Sequence, residues 1–580
     1  MDVYTCKPSK LFAGPIRYNV PPYQRGYVWD EAQQWEPLWS DVTALAESEL
    51  EAPHFMGALV LMQSPSQVGD LDTRTVVDGQ QRLTTLQVLL DAVRREMEAR
   101  GLGKEAGKVK LMVQNPAESL DEPEHVFKLW PTLDDQAAFR EVMKVGEAAA
   151  QSGHRLSAAH RYFRKEVGKW LDAEPDRMAD RAQTLEKHLK GSLEFAVVDL
   201  SQNDNQFAIF ETLNARGTPL LQTDLAKNFL VDQVRQKSGQ IPTAEEVQAL
   251  WPLLGAWWKG QVRQGRRYEP RSEHFLYYWL ISVTRQEVKT GTVFDTFRRV
   301  LRREFGGDPE RLAERIRRDA SHYRQLMDVE ANPAPCDSVL YRYRCLGTGA
   351  LMPLLLSLTM EEINDKDGPG GVIETLVMRR ALARYASNGL NQLGRTLLQA
   401  SHGRRGSVAR EALVACMAEQ TAASRRWPTF DEVRDGVRTR PVYSRADTSF
   451  ARMVLEAFEL HLRSGYTEPF KGGEELTIEH VLPQEWTEHW PLKPGDTERA
   501  DRRNALMHTL GNLTLTTDKL NAAMSNQAWD EKRRRLGGHG TLTLNEELPR
   551  EAGQVWNVEA IEARAERMAQ WAESLWSVPL

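Results

Sequence analysis

Two hydrophobic periodicities divide this chain. Short apolar, β-branched runs cluster near its ends, and apolar residues recurring every three to four positions fill the stretch between. Phe55 to Leu61 predicts a strand, Gln63 to Asp72 a polar loop, and Thr75-Val76-Val77 a second strand. That strand runs into Asp78-Gly79-Gln80-Gln81-Arg82, after which helical spacing continues through Val93. Leu193 to Leu200 predicts another buried strand. Between Ala92 and Lys190 lie Pro/Gly/Glu-rich loops, helical runs and a short strand at Phe127 to Pro131, which together read as scaffold. From Thr243 the pattern becomes almost wholly helical. Trp251, Trp257, Trp258 and the aromatics from Phe275 to Trp279 take core-facing positions, and Arg299 to Tyr323 reads as one amphipathic charged helix.

Near the C-terminus the short period returns. A helix over Tyr443 to Ser464 leads to Thr477-Ile478, a β-branched run stopped by Pro483. Leu510-Gly511-Asn512-Leu513-Thr514-Leu515 supplies a second strand, and Lys519 to Asn526 a helix start. The order is a β-hairpin followed by a helix.

Length and composition narrow the class. A chain of 580 residues is too long for one core and predicts roughly two to four domains. Hydrophobic content of 41% and charged content of 27% describe a folded, soluble protein. Cys6, Cys336, Cys345 and Cys416 lack metal-ligand spacing, which points to a reducing, cytoplasmic setting. No apolar run reaches membrane-spanning length. The net charge of -6 argues against a bulk-basic nucleic-acid binder and leaves room for local patches, of which Arg263 to Arg271, Arg379-Arg380, Arg404-Arg405 and Lys532 to Arg535 are candidates.

The C-terminal hairpin carries the sharpest chemistry. Glu479 and His480 set a carboxylate beside an imidazole whose ordinary pKa lies near neutrality, suiting it to activate water. Glu479 and the amide oxygen of Asn521 are hard donors suited to Mg2+ or Mn2+. This is the layout a one-metal phosphodiesterase needs. At the other end, the strand–glycine–helix turn at Asp78 to Arg82 is a place to hold an anion, because helix-start N–H groups point at it. Arg82 is suited to phosphate and Asp78 to orienting a metal or water; a plain turn capped by Asp78 is the alternative. Gln24 and Arg25 lie in an aromatic arm, Tyr23-Gln24-Arg25-Gly26-Tyr27-Val28-Trp29. Glu211, Asn214, Arg216, Asp224, Lys227 and Asn228 crowd polar groups around a Gly217/Pro219 turn. There is no Walker A pattern.

These motifs resemble the GmrSD-type modification-dependent (type IV) restriction endonucleases. The resemblance rests on the Tyr-Gln-Arg-x-Tyr-x-Trp arm, Asp78-Gly79-Gln80-Gln81-Arg82, Phe210-Glu211-x-Leu213-Asn214-x-Arg216-Gly217, Glu479-His480-Val481-Leu482-Pro483-Gln484, Leu510-Gly511-Asn512 and Asn521 to Asn526. It implies an α+β multidomain protein. A GmrS-like domain of ParB/sulfiredoxin-like fold spans 1–235, a helical region 236–440, and an HNH (ββα-metal) nuclease domain 441–580. It further implies that His480 is the general base, that Glu479 and Asn521 bind metal, and that Asn512 holds the hairpin and orients the base. Gln24, Arg25, Asp78, Gly79, Gln80, Gln81, Arg82, Asn214 and Arg216 would surround a nucleoside triphosphate. Asn521 stands where other HNH enzymes carry a histidine. The expected partners are modified double-stranded DNA, an NTP and a second copy of the chain, with no membrane. Lys532, Arg379 and Arg380 are the expected DNA contacts. Two other readings stay open: an NTP-binding regulator with an idle nuclease domain, and an unspecific nuclease toxin.

Overall fold

The computed structural model describes every residue except 1, 22–23, 48–52, 64–70, 117–121, 146–152, 201–220, 240–241, 265–266, 444–447, 464–469, 471–475, 488, 493–494, 540–541, 553–554 and 580. The protein is mixed α and β and mostly helical. It forms two compact units, Met1–Trp258 with Leu301–Glu314, and Lys259–Val300 with Arg315–Leu580.

The first unit is built on a mixed six-stranded sheet. Its strands are β1 (Asp2–Cys6), β2 (Ile16–Asn19), β3 (His54–Gln63), β4 (Asp72–Asp78), β5 (Leu129–Trp130) and β6 (Leu193–Leu200), in the order β1-β6-β3-β4-β2-β5. β3 runs parallel to β6 and antiparallel to β4, and β2 runs parallel to β4. β4 ends at Asp78, and Gly79 turns the chain at φ 90° into the Gln80–Ala99 helix. A side chain at Gly79 would strike Leu59, its Cβ falling 2.5 Å from Cδ2, so this turn requires glycine. The helix is buried on nearly every side, polar residues such as Thr85, Gln87 and Asp91 included, which makes it a central core element. Leu83, Leu86, Val88, Leu89, Leu90 and Val93 are all fully buried. Helices Gly103–Val113 and Arg155–Asp172 pack on it. Its most deeply buried carboxylate, Asp91, is compensated by Arg94 at 2.6 Å, Arg95 at 2.7 Å and His160 at 3.1 Å.

The stretch after Thr243 departs from the expectation of a few long helices at two points. Strands β7 (Gln261–Gln264) and β8 (Arg267–Pro270) form an antiparallel hairpin where a basic patch was expected, strands too short to leave a period-two signature. The stretch expected as one helix over 299–323 is two, Val293–Glu304 and Pro309–Met327. Gly306 and Gly307 take left-handed φ between them, and Pro309 starts the second.

β9 (Leu476–His480) and β10 (Leu513–Thr517) pair antiparallel with Glu479 opposite Thr514 and His480 opposite Leu513, and the Asp518–Met524 helix follows at once. Helices Trp529–His539 and Val558–Leu575 cover this hairpin through a core that includes Val481, Leu482, Trp529, Leu536, Trp556 and Ile561.

Candidate active site

Along β9 successive side chains point to opposite faces, so Thr477 and Glu479 share one and Ile478 and His480 the other. Glu479 is buried, and its Oε1 accepts a 2.5 Å charged hydrogen bond from Lys532 Nζ, which also donates to the His480 carbonyl at 2.7 Å. Burial pushes the Glu479 carboxyl pKa up and the Lys532 ammonium pKa down, while their mutual attraction opposes both shifts. Asn521 stands at the same face: its Nδ2 donates to Thr477 Oγ1 at 3.0 Å and to the Ile478 carbonyl at 3.2 Å, leaving the amide oxygen as the group able to meet a cation.

His480 is held from several sides. Its Nε2 shares a 3.0 Å hydrogen bond with His508 Nδ1, and the Tyr443 ring packs edge-on with centroids 4.4 Å apart. Burial, then the positive charge available at His508 and Lys532, pushes its pKa down to about 3, so the imidazole is neutral at pH 7. Asn512 is fully buried and closes the loop around this ring. Its Oδ1 accepts from Leu482 N at 2.7 Å and Trp556 Nε1 at 3.2 Å, and its Nδ2 donates to the carbonyls of Leu482 and Met507, both at 2.9 Å. With its donors and its acceptor spent on hairpin groups, Asn512 positions the strand that carries His480.

In the first unit, the arm is tied to the β4–helix turn by glutamines. Gln24 Nε2 donates to the carbonyls of Val76 (2.8 Å) and Val77 (3.0 Å). Gln81 accepts from Val28 N and donates to Gly26 O, and Gln80 donates to Arg25 O. These side chains fix the arm on the turn. Around it gather charges: Arg82 lies 4.0 Å from the Asp78 carboxylate and donates to Ala58 O at 2.7 Å, and Lys227 lies 3.7 Å from Asp224. Burial lowers the Arg25 pKa, and nearby Asp224 and Asp78 pull it the other way. No side chain caps the Gln80–Ala99 helix; Gly79, not Asp78, takes the cap position. Asn214 and Arg216 lie outside the described residues, as does Tyr23.

Two family models match the chain: the N-terminal domain of the GmrSD restriction endonucleases over residues 8–231, and their C-terminal domain over residues 427–571. The chain belongs to the GmrSD restriction endonuclease family. It is accordingly an endonuclease of the type IV restriction class, and its substrate is DNA. It matches no curated protein. Among the described residues no helix is long and apolar enough to cross a membrane.

All three basic residues expected on DNA are turned inward in this GmrSD enzyme. Lys532 has no exposure and serves Glu479. Arg379 is buried and donates to Pro428 O, Trp576 O and Glu573. Arg380 donates to Ser424 O and Ala386 O and lines a cavity. Conversely, His508 and Tyr443 stand against His480 without having been singled out. Tyr443 is not part of a helix, which begins only at Thr448. Pro441 bridges to Thr509, and Val442 N donates to His508 O at 2.7 Å, bringing Tyr443 to the site in extended chain.

Proposed function

We propose that this endonuclease is NTP-regulated and modification-dependent, that it hydrolyses phosphodiester bonds in DNA bearing glucosylated or hydroxymethylated cytosine or phosphorothioate linkages, and that its role is defence against phage. The observation that supports this reading best is the neutral, sterically fixed imidazole of His480, which follows the oxygen donor Glu479 directly in β9, the strand that Asn521 also contacts. A base that is unprotonated at pH 7 and cannot rotate away can take a proton from water attacking phosphorus. His508 and Tyr443 hold the ring, and Asn512 fixes the strand that presents it.

Glu479 and Asn521 are the residues that would hold the divalent ion. The donor set suits it: both offer hard oxygens from one face, and the Lys532 ammonium already lies against Glu479 as a cation. Among the described residues no group of three His, Cys, Asp or Glu surrounds one point. Few protein ligands is what Mg2+ tolerates when phosphate oxygens and waters complete its shell. When bound, the ion would neutralise charge developing on the leaving oxygen.

The nucleotide belongs in this reading to the first unit. Arg25 and Arg82 would pair with phosphate oxygens, the uncapped helix start would supply N–H groups, and Asp78 would orient water or a metal. Gln24, Gln80 and Gln81 would keep the arm closed over that pocket. A homodimer would place two nuclease sites for cuts in both strands.

The test is cleavage of matched DNAs, unmodified, hydroxymethylated, glucosylated and phosphorothioated, with Mg2+ and each NTP, for wild type, His480→Ala and Asp78→Ala. Cutting confined to one modified DNA, lost in His480→Ala and altered in Asp78→Ala, is the expected result. Equal cutting of all DNAs would replace this reading with that of an unspecific toxin. No cutting of any would replace it with that of a regulator.

A further inference from the structure

His508 meets His480 through a ring nitrogen, and its own position is fixed twice over. It lies just ahead of the Leu510–Asn512 turn that leads into β10. Its carbonyl accepts from Val442 N at 2.7 Å. The next residue, Thr509, is fully buried, bridges to Pro441, and donates from N and Oγ1 to Leu506 O at 3.0 and 2.7 Å. The ring is held as well. Tyr443 lies nearly parallel to it, at 13° with centroids 5.9 Å apart, while meeting the His480 ring edge-on at 80°. So held, His508 presents Nδ1 to His480 Nε2 at 3.0 Å.

Two imidazole nitrogens at 3.0 Å share one proton, so one ring donates and the other accepts. The two arrangements differ at the far side of His480. If His508 donates, His480 accepts at Nε2 and carries its own proton on Nδ1, which then has no lone pair to take a proton from water. If His480 donates from Nε2, Nδ1 keeps its lone pair. Because Nε2 is engaged either way, a base at His480 acts through Nδ1, and only an accepting His508 leaves that atom able. The other neighbours described above do not set the tautomer. Lys532 donates to the His480 carbonyl, and Asn512 spends its amide on Leu482, Met507 and Trp556.

We propose that His508 is a positioning residue of the nuclease: its bare Nδ1 accepts the Nε2–H of His480 and makes Nδ1 of His480 the nitrogen that deprotonates the attacking water. This role rests on the reading of His480 as the base. As the water oxygen bonds to phosphorus, its proton passes to Nδ1, and the bond to the leaving oxygen breaks with its electron pair. The hydrogen bond from Nε2 then comes from an imidazolium, and a charge-assisted bond is roughly twice as strong as a neutral one. His508 therefore holds the transition state more tightly than the resting ring.

The proton can be read directly. Full-length deuterated chain with 15N-labelled histidine is examined in EDTA at pH 7 by long-range 1H–15N spectra, with His480 assigned through His480→Gln. The expected spectrum has a proton on Nε2 and a bare Nδ1 in both His480 and His508. A proton on His480 Nδ1 overturns the proposal whatever the activity. Two variants then separate accepting from packing, since His508→Asp offers only acceptors and His508→Lys only donors. On whichever of the matched DNAs wild type cuts with Mg2+, His508→Lys should lower kcat on the order of a hundredfold without raising KM, and His508→Asp should keep most of the rate. Equal losses in two folded variants would make His508 a packing residue and overturn the proposal. Should either variant fail to fold, judged by its melting midpoint, the wild-type spectrum alone decides. A wild type that cuts no DNA yet carries the proton on Nε2 would sink the nuclease reading and leave the hydrogen-bond assignment standing.

Discussion

Lys532 Nζ lies 2.5 Å from Glu479 Oε1, and the lysine is completely shielded from solvent. A cation expected to meet DNA is therefore the internal counter-charge of a proposed metal ligand. Replacing it with methionine keeps the volume and strands a buried carboxylate. Lys532→Met is expected to destabilise the second unit by roughly 3–5 kcal/mol, read as a lower thermal midpoint in EDTA. Duplex binding in EDTA by the folded variant should match wild type; a uniform loss at every salt concentration would restore the phosphate-contact role.

The buried imidazole makes stability depend on acid. His480 has a folded pKa of about 3 against an unfolded value near 6.5. Its folded-state pKa is depressed, so below pH 6.5 the unfolded chain takes up a proton that the folded chain refuses. The contribution is complete above pH 6.5 and is lost as pH falls toward 3. The loss amounts to about 2 kcal/mol by pH 5. His508, also lowered by burial, adds in the same direction. In urea unfolding with EDTA, wild type should weaken between pH 7 and 5 more steeply than His480→Gln. Parallel curves would show that His480 titrates normally.

Arg379 separates structural from DNA-facing arginines. Its guanidinium is spent on Pro428 O, Trp576 O and Glu573. Arg379→Met leaves two buried carbonyls unmet and should cost about 3 kcal/mol. Affinity for duplex and its salt slope should not change. A fall in slope would return Arg379 to the DNA surface.

How much of this was legible can be argued from single residues. The β9–β10 hairpin and its helix follow from β-branched runs, Pro483 and Asn512, which act locally. Lys532 was misplaced because the run Lys532 to Arg535 reads as a basic surface. The correcting signal was present in the helical period, since Trp529, Lys532 and Leu536 fall on one stripe and both apolar members are buried. His508 lies 28 residues from His480 across a loop, and Tyr443 reaches the ring through a bridge at Pro441. Neither proximity has a local pattern to announce it. That Gln24 and Gln81 tie the arm to the turn has no local signal either, because their carbonyl partners, Val76, Val77 and Gly26, carry no side-chain signature.

The turn that begins the Gln80–Ala99 helix offers a last test, through two glycines with different neighbours. At Gly79 an added Cβ would lie 2.5 Å from Leu59 Cδ2 and 2.9 Å from the Ala58 carbonyl oxygen, with φ at 90°. At Gly57, φ is 98°, and the Cβ would meet the Arg82 side chain, 2.8 Å from Nε. Both substitutions strain the backbone, but only the first collides with a core side chain and a main-chain oxygen. Gly79→Ala should therefore cost the first unit ~3 kcal/mol or more. Gly57→Ala should cost less, because a flexible guanidinium can swing away, and the swing breaks the Arg82–Ala58 hydrogen bond. If Arg82 holds phosphate from its present position, Gly57→Ala will lose nucleotide affinity out of proportion to its loss of stability. Calorimetric titration of ATP and GTP beside urea unfolding makes the comparison. Intact nucleotide affinity in a folded Gly57→Ala would remove Arg82 from the proposed triphosphate site.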